Sequence, residues 1–210
     1  MGIPVMIIGE SGSGKSASLR NFSREEVGIF NVASKPLPFR NSLASMNHAD
    51  YISIEQGLAR NSLKCYVIDD SQYLMAFEEM ARAKENGYAK FTDMALNFYN
   101  LVKIVIDGTS PDTIVYFLHH AERADDGRLK AKTVGKMIDS KITLEGLFSI
   151  VMFTQVDKDG HWFVTQSDGF NTAKTPMGMF DSVLVENDLK MVDTTIREYY
   201  NFKESEDGEK

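Results

Sequence analysis

Apolar residues along this chain gather in short unbroken runs, each closed by glycine, proline or an acid. "IPVMIIG" (3–9) is too short for an ordinary helix and ends in glycine, which predicts a strand buried on both faces. "VGIFNVA" (27–33), "LKCYVIDD" (63–70) and "TIVYFLHHAE" (113–122) read the same way. The first of these three runs into "SKPLPF", whose two prolines end any regular element. "DYISIE" (50–55) alternates polar and apolar residues and reads as a further short strand ending in an acid. From Ser71 to Val105 the period changes: Tyr73, Phe77 and Met80, then Phe91, Met94, Ala95, Phe98, Leu101, Val102 and Val105 recur at three and four, which is a helical stripe. "KSASLRNF" (15–22) and "DLKMVDTTIREYYNFK" (188–203) are further helix candidates. "IVMFTQVDKDGHWFVTQS" (150–167) places two β-rich runs around "DKDG", a hairpin signal. Strand, helix, strand, long helical stretch, strand predicts an α/β fold with a largely parallel sheet, closed by an antiparallel hairpin.

Composition bounds what such a fold does. With 210 residues, 43% apolar and 25% charged, the chain has enough material for one compact domain over 1–203, leaving "ESEDGEK" (204–210) as an acidic tail. No apolar run approaches the roughly 20 residues that span a bilayer, and no basic leader opens the chain, so the expectation is a cytoplasmic protein without a membrane partner. The single cysteine, Cys65, excludes an internal disulfide and a cysteine-built zinc site. A net charge of −7 argues against a surface that coats nucleic acid throughout, and directs attention to local basic patches.

The first candidate chemistry lies directly behind the first strand. Residues 9–16, "GESGSGKS", fit the phosphate-loop pattern G-x-x-x-x-G-K-[ST] between a buried strand and a helix start. Glycines let successive N–H groups turn inward toward phosphate oxygens. Gly9, Glu10, Ser11, Gly12, Ser13, Gly14, Lys15, Ser16 and Ala17 are therefore the expected nucleotide-binding residues. Lys15 is expected to reach the β and γ phosphates, and Ser16 to take one position on Mg²⁺.

A phosphate loop of this kind needs an acid at the end of a neighbouring strand, and "CYVIDD" supplies two. Asp69 is the candidate on the metal side. Asp70 is a candidate general base, with an N-cap for the next helix as its alternative, and Glu55 is the rival base or else a solvent-facing glutamate. At the end of the fourth strand, His119 and His120 alternate, so at most one can sense the terminal phosphate. They are too close together, and too isolated, for a zinc set. The following stretch, "ERADDGRLKAKTVGK", gathers Arg123, Arg128, Lys130, Lys132 and Lys136 in an otherwise acidic chain. It reads as a loop able to meet a single-stranded DNA backbone, or as a solvated loop of mixed sign. Lys174, in "FNTAKTP", is a candidate for reaching a neighbouring subunit's γ phosphate, or an ordinary surface lysine.

Residues 9–16 with "VIDD" resemble a P-loop ATPase, and the polar-ended strand, basic stretch and terminal hairpin with "AKT" resemble its RecA-core branch, in particular the short bacteriophage ATPases that consist of a RecA core alone, some of which act in single-strand annealing or recombination. The resemblance covers roughly residues 3–180. It implies a three-layer α/β/α domain, ATP and Mg²⁺, homo-oligomers with nucleotide at subunit interfaces, single-stranded DNA on loops after the sensor strand, and other replication or recombination proteins as partners. Two departures stand out. RecA-type proteins carry a catalytic glutamate at the end of the strand after the phosphate-loop helix, where this chain reads "VASKP", and with the first strand starting by residue 3 any self-assembly is expected to use a surface other than an N-terminal segment. Two other classes compete with a DNA-stimulated ATPase: a nucleotide-switched interaction module with slow hydrolysis, and a small-molecule kinase.

Overall fold

A computed structural model describes residues 1–135 and 142–202. Lys136 and the acidic tail expected over 204–210 lie outside the described residues. The strands are β1 (Ile3–Gly9), β2 (Gly28–Asn31), β3 (Ser45–Asn47), β4 (Cys65–Asp69), β5 (Ile114–Arg123), β6 (Leu129–Ala131), β7 (Ile150–Asp157), β8 (Gly160–Val164) and β9 (Leu184–Glu186). The described helices include α1 (Tyr51–Ala59), α2 (Gln72–Ala81), α3 (Ala89–Gly108) and α4 (Leu189–Tyr199).

The strands form one mixed, mostly parallel sheet in the order β3-β2-β4-β5-β1-β7-β8-β9, with β6 paired to β5. Apolar runs become central strands because both their faces are covered: Val5 through Ile8 and Ile114 through Leu118 are all completely buried. On one face Met6, Ile8, Phe30, Ile68, Val115 and Phe117 pack against Ile54 and Leu58 of α1, Leu74 and Met75 of α2, and Phe98, Leu101 and Val102 of α3. On the other, Val5, Ile7, Val67, Tyr116, Leu118 and Met152 pack against Leu19 and against Leu189, Val192 and Ile196 of α4. Helix α4 is also tied down by charge: Asp193 accepts from the buried Tyr116 hydroxyl at 2.9 Å and from Arg197 Nε at 2.6 Å, while Arg197 donates onward to the carbonyls of Asp112 and Lys64.

Four stretches fold otherwise than their sequence predicts. Residues 50–55 are helical, because Asp50 caps α1 through a reciprocal pair of hydrogen bonds with Ser53. Glu55 therefore stands on α1, beside Asn100, Lys103 and Asp107 of α3, and ends no strand. The long helical stretch is two helices, broken at 82–88, where Gly87 takes φ +94°. The segment after Lys15 is only a 3-10 helix, Ser16–Asn21. The basic stretch is an antiparallel hairpin, with Glu122 opposite Lys130 and Arg123 opposite Leu129. The hairpin over 150–167, the strand at 3–9 and the terminal helix all form as read.

Candidate functional site

Strand order sets up the site. β5 lies between β1 and β4, all three parallel, so their C-terminal ends bring Gly9, His120 and Asp69 to one edge of the sheet, the edge where parallel α/β sheets bind ligands. Gly9 is the register partner of His120, and Asp69 of Asn31 on β2.

The loop leaving β1 is shaped by residues a side chain would spoil. Gly12 and Gly14 take φ +79° and +99°. A Cβ on Gly14 would come within 3.0 Å of His161 Nδ1 and 3.2 Å of Asn187 Oδ1, and one on Gly9 within 1.8 Å of Thr154 Oγ1. Thr154 Oγ1 donates to Ser13 Oγ at 2.6 Å, Ser13 Oγ to the Glu10 carbonyl at 2.7 Å, and His161 Nδ1 to the Ser13 carbonyl at 3.2 Å. Strands β7 and β8 thus hold the loop's outer side. Among the described residues, the main-chain N–H groups of Gly12, Gly14 and Lys15 meet no acceptor within the protein. Unpartnered main-chain donors in a glycine turn are groups that can hold an anion.

Lys15 is 6% exposed, and its ammonium donates to the carbonyls of Gly9 and Glu10, each at 2.8 Å. Burial lowers its pKa to about 8, against the pull of Asp70 and Asp69. Next in the chain, Ser16 Oγ donates to Asp69 Oδ1 at 2.8 Å. The Asp69 carboxyl is buried, which raises its pKa against the hydrogen bond from Ser16. A hydroxyl and a carboxylate, two hard oxygen donors beside an amide nest, suit Mg²⁺ completed by phosphate oxygens and water. Among the described residues no group of three His, Cys, Asp or Glu side chains gathers to hold a metal unaided.

Asp70 adopts φ +60°. The N-cap of α2 is Ser71, so the capping alternative for Asp70 is not realised. Its Oδ2 instead accepts from Lys35 Nζ at 2.9 Å and its Oδ1 from His120 Nε2 at 3.1 Å. Burial alone would raise this carboxyl, but those two donors outweigh it and bring its pKa to about 2. The two histidines separate as strand alternation requires. His120 faces the site. His119 is fully buried, donates from Nε2 to the Lys132 carbonyl at 2.8 Å, and accepts from the Ser71 hydroxyl at 2.9 Å. Its pKa falls to about 4 through burial, so it is a neutral structural group, and of the two histidines only His120 stands beside Asp70.

Other expected residues lie further off. Glu55, on α1, meets neither the loop nor Asp69. Lys174 is exposed and pairs its backbone with Val151 in the body of β7, three residues before Thr154. Of the basic residues, Arg128 is bound to Asp126 at 2.7 Å, Lys130 to Glu122 at 3.0 Å, and Arg123 to the Gly127 carbonyl at 3.3 Å. Lys132 is exposed, and its backbone joins His120 and His119 to the hairpin.

Lys35, Thr154, His161, Trp162 and Asn187 join the site without a motif to mark them. The last three line a cavity of about 460 Å³ together with Ala17, Arg20 and Glu186, directly beyond the 9–16 loop. Arg20 closes one wall by donating to Asn187 O and, at 3.0 Å, to Glu186 Oε1. Asn187 is 3% exposed, and its Nδ2 has no acceptor among the described residues. A polar group in the "IVMFTQ" run was the available signal for Thr154; for Asn187 and Lys35 the sequence offered none.

Compared with models of known protein families and with curated proteins, the chain matches none. Among the described residues no helix is long and apolar enough to cross a membrane.

Proposed function

We propose that this chain binds a magnesium nucleoside triphosphate, ATP by resemblance, and hydrolyses it as a RecA-like P-loop ATPase. The observation that carries the reading is the 2.8 Å hydrogen bond from Ser16 to Asp69, made between the end of an open amide nest and the end of a second strand. Glycine turns, a buried lysine, and a hydroxyl facing a carboxylate occur together where the chemistry of a triphosphate requires them. In this reading the amides of Gly12, Gly14 and Lys15, with the Lys15 ammonium, hold the β and γ phosphates, Ser16 and Asp69 hold Mg²⁺, and the cavity bounded by Ala17, Arg20 and Trp162 takes the nucleoside. Bound Mg²⁺ neutralises phosphate charge as it develops. The protein's own part is to fix the triphosphate and to place Asp70 and His120 beside its terminal phosphate.

The DNA assignment rests on the β5–β6 hairpin, which carries Arg123, Arg128, Lys130 and Lys132 and is bonded through Lys132 to the strand that presents His120. A change at the nucleotide thereby has a short route to the hairpin. A nucleotide-switched interaction module is the second reading. It is favoured by the pairing of Arg128 and Lys130 with acids of their own hairpin and by Lys35, a base-unlike residue, after β2 where RecA-type proteins place glutamate. ATPase assays with and without single-stranded DNA separate the two. The first reading expects turnover to rise with DNA and Lys15→Ala to abolish it; slow turnover indifferent to DNA supports the second.

A further inference from the structure

After β2 the chain turns sharply over the end of the sheet. Val32 N donates to the Asp69 carbonyl, Ser34 takes φ +54°, and the buried Asn31 side chain donates to the Lys35 carbonyl at 2.7 Å. The backbone of Lys35 is therefore anchored beside the acidic strand. Its side chain passes over the Tyr73 ring, Nζ 4.8 Å from the centroid, and ends on Asp70 at 2.9 Å. Tyr73 also sets its ring at 82° to His120, 5.4 Å between centroids, so one aromatic ring backs both donors to Asp70.

Three properties make this contact exchangeable. The Lys35 side chain is 59% exposed, and an ion pair with so wet a partner is weak. The stem is long and unbranched, while its Cα is fixed. The ammonium lies close enough to Lys15 for the two charges to act on each other, so a phosphate gripped by Lys15 enters the field of both.

Resting on the reading that the loop binds a nucleoside triphosphate, we propose that Lys35 reads the γ phosphate in cis. In the free protein its ammonium is held by Asp70; a triphosphate on the loop draws it onto the terminal phosphate, and a diphosphate leaves it where it is. Asp70 then keeps only His120, whose carbonyl is bonded to Lys132 of the hairpin at 2.8 Å. Occupancy of the γ position is so converted into a change at the end of β5.

The test is calorimetric titration of the full chain with ADP and with a non-hydrolysable ATP analogue, both with Mg²⁺, in wild type, Lys35→Met, Lys35→Arg and Asp70→Asn, with circular dichroism to verify folding. Lys35→Met should lower analogue affinity about tenfold or more and change ADP affinity less than about twofold, as loss of one charge-assisted contact to the terminal phosphate requires. Lys35→Arg should retain most of the preference, and Asp70→Asn should raise it by releasing the lysine. Independently, the His120 ring resonances should shift with the analogue and not with ADP in wild type, and respond alike to both in Lys35→Met. If wild type binds both ligands and Lys35→Met keeps the full preference, the proposal is wrong and the phosphate-loop reading stands. If wild type binds neither, that reading itself fails.

Discussion

Ser16 and Asp69 are 53 residues apart in sequence, and their side-chain oxygens are 2.8 Å apart in space. Two apolar strands on either side of β5 are what bring a loop serine and a strand-end aspartate together. The contact is small, but it ties the 9–16 loop to the acidic strand.

Ser16→Ala should act on the metal and spare the fold. It removes one oxygen donor and leaves the buried Asp69 carboxylate without its hydroxyl partner. Affinity for Mg-ATP should fall at least about tenfold, while affinity for metal-free ATP should change little, corresponding to roughly 1.5–3 kcal/mol for a hydrogen bond to a charged group. Titrations with Mg²⁺ and with EDTA read the difference directly.

The loop's two positive-φ glycines should respond unequally to alanine. At Gly12 a Cβ meets nothing within 4 Å, so Gly12→Ala bears only the backbone penalty, about 1 kcal/mol. At Gly14 the same Cβ presses on His161 and Asn187, so Gly14→Ala should cost about 1–3 kcal/mol in stability and also weaken nucleotide binding. Urea denaturation of both variants checks the order; equal losses would contradict the packing of β8 on the loop.

His119 should give the protein an acid-sensitive limb. Its pKa falls from 6.5 to about 4 on folding, through burial. Above pH 6.5 it is neutral in both states and costs nothing. Between 6.5 and 4 the unfolded chain binds the extra proton, so stability declines as pH falls, by up to about 3 kcal/mol from this site. Below about 4 its contribution is constant. His119→Gln should be less stable at pH 7 yet show a shallower decline from pH 6.5 to 4.5 in urea titrations.

Asp193→Ala should destabilise without touching the site. It leaves the buried Tyr116 hydroxyl and the Arg197 guanidinium short of a partner. The expected loss is about 3–5 kcal/mol, as for breaking a buried pair from one side. Nucleotide affinity of the folded fraction should be unchanged, measured well below the variant's melting temperature.

Much of this architecture is legible in the sequence, for physical reasons. Strands buried on both faces need continuous apolar runs, so β1, β4 and β5 announce themselves. The turn over 9–16 is legible because its conformation favours glycine at Gly12 and Gly14. What stays hidden depends on short-range choices or distant neighbours. "DYISIE" alternates like a strand, yet Asp50 and Ser53 close a capping box that commits it to α1. The three-residue strands β3, β6 and β9 carry too little pattern to mark themselves. The basic stretch reads as a loop because nothing in its composition reveals that Glu122 and Asp126 pair with Lys130 and Arg128. Alternation stated that only one of His119 and His120 could face the site; only the neighbours, Ser71 and Lys132 for one and Asp70 for the other, decide which. Lys35 sits in a proline-rich turn that reads as an ending, and its role depends on where β4 lies beside β2.

The most direct test of the central claim is calorimetric titration of the folded wild-type chain with ATP, with and without Mg²⁺, alongside Lys15→Ala. The account predicts saturable one-to-one binding that strengthens with Mg²⁺ and is lost in Lys15→Ala while the fold persists. A folded wild-type protein with no affinity for ATP and Mg²⁺, or one whose affinity is indifferent to Lys15, would contradict it.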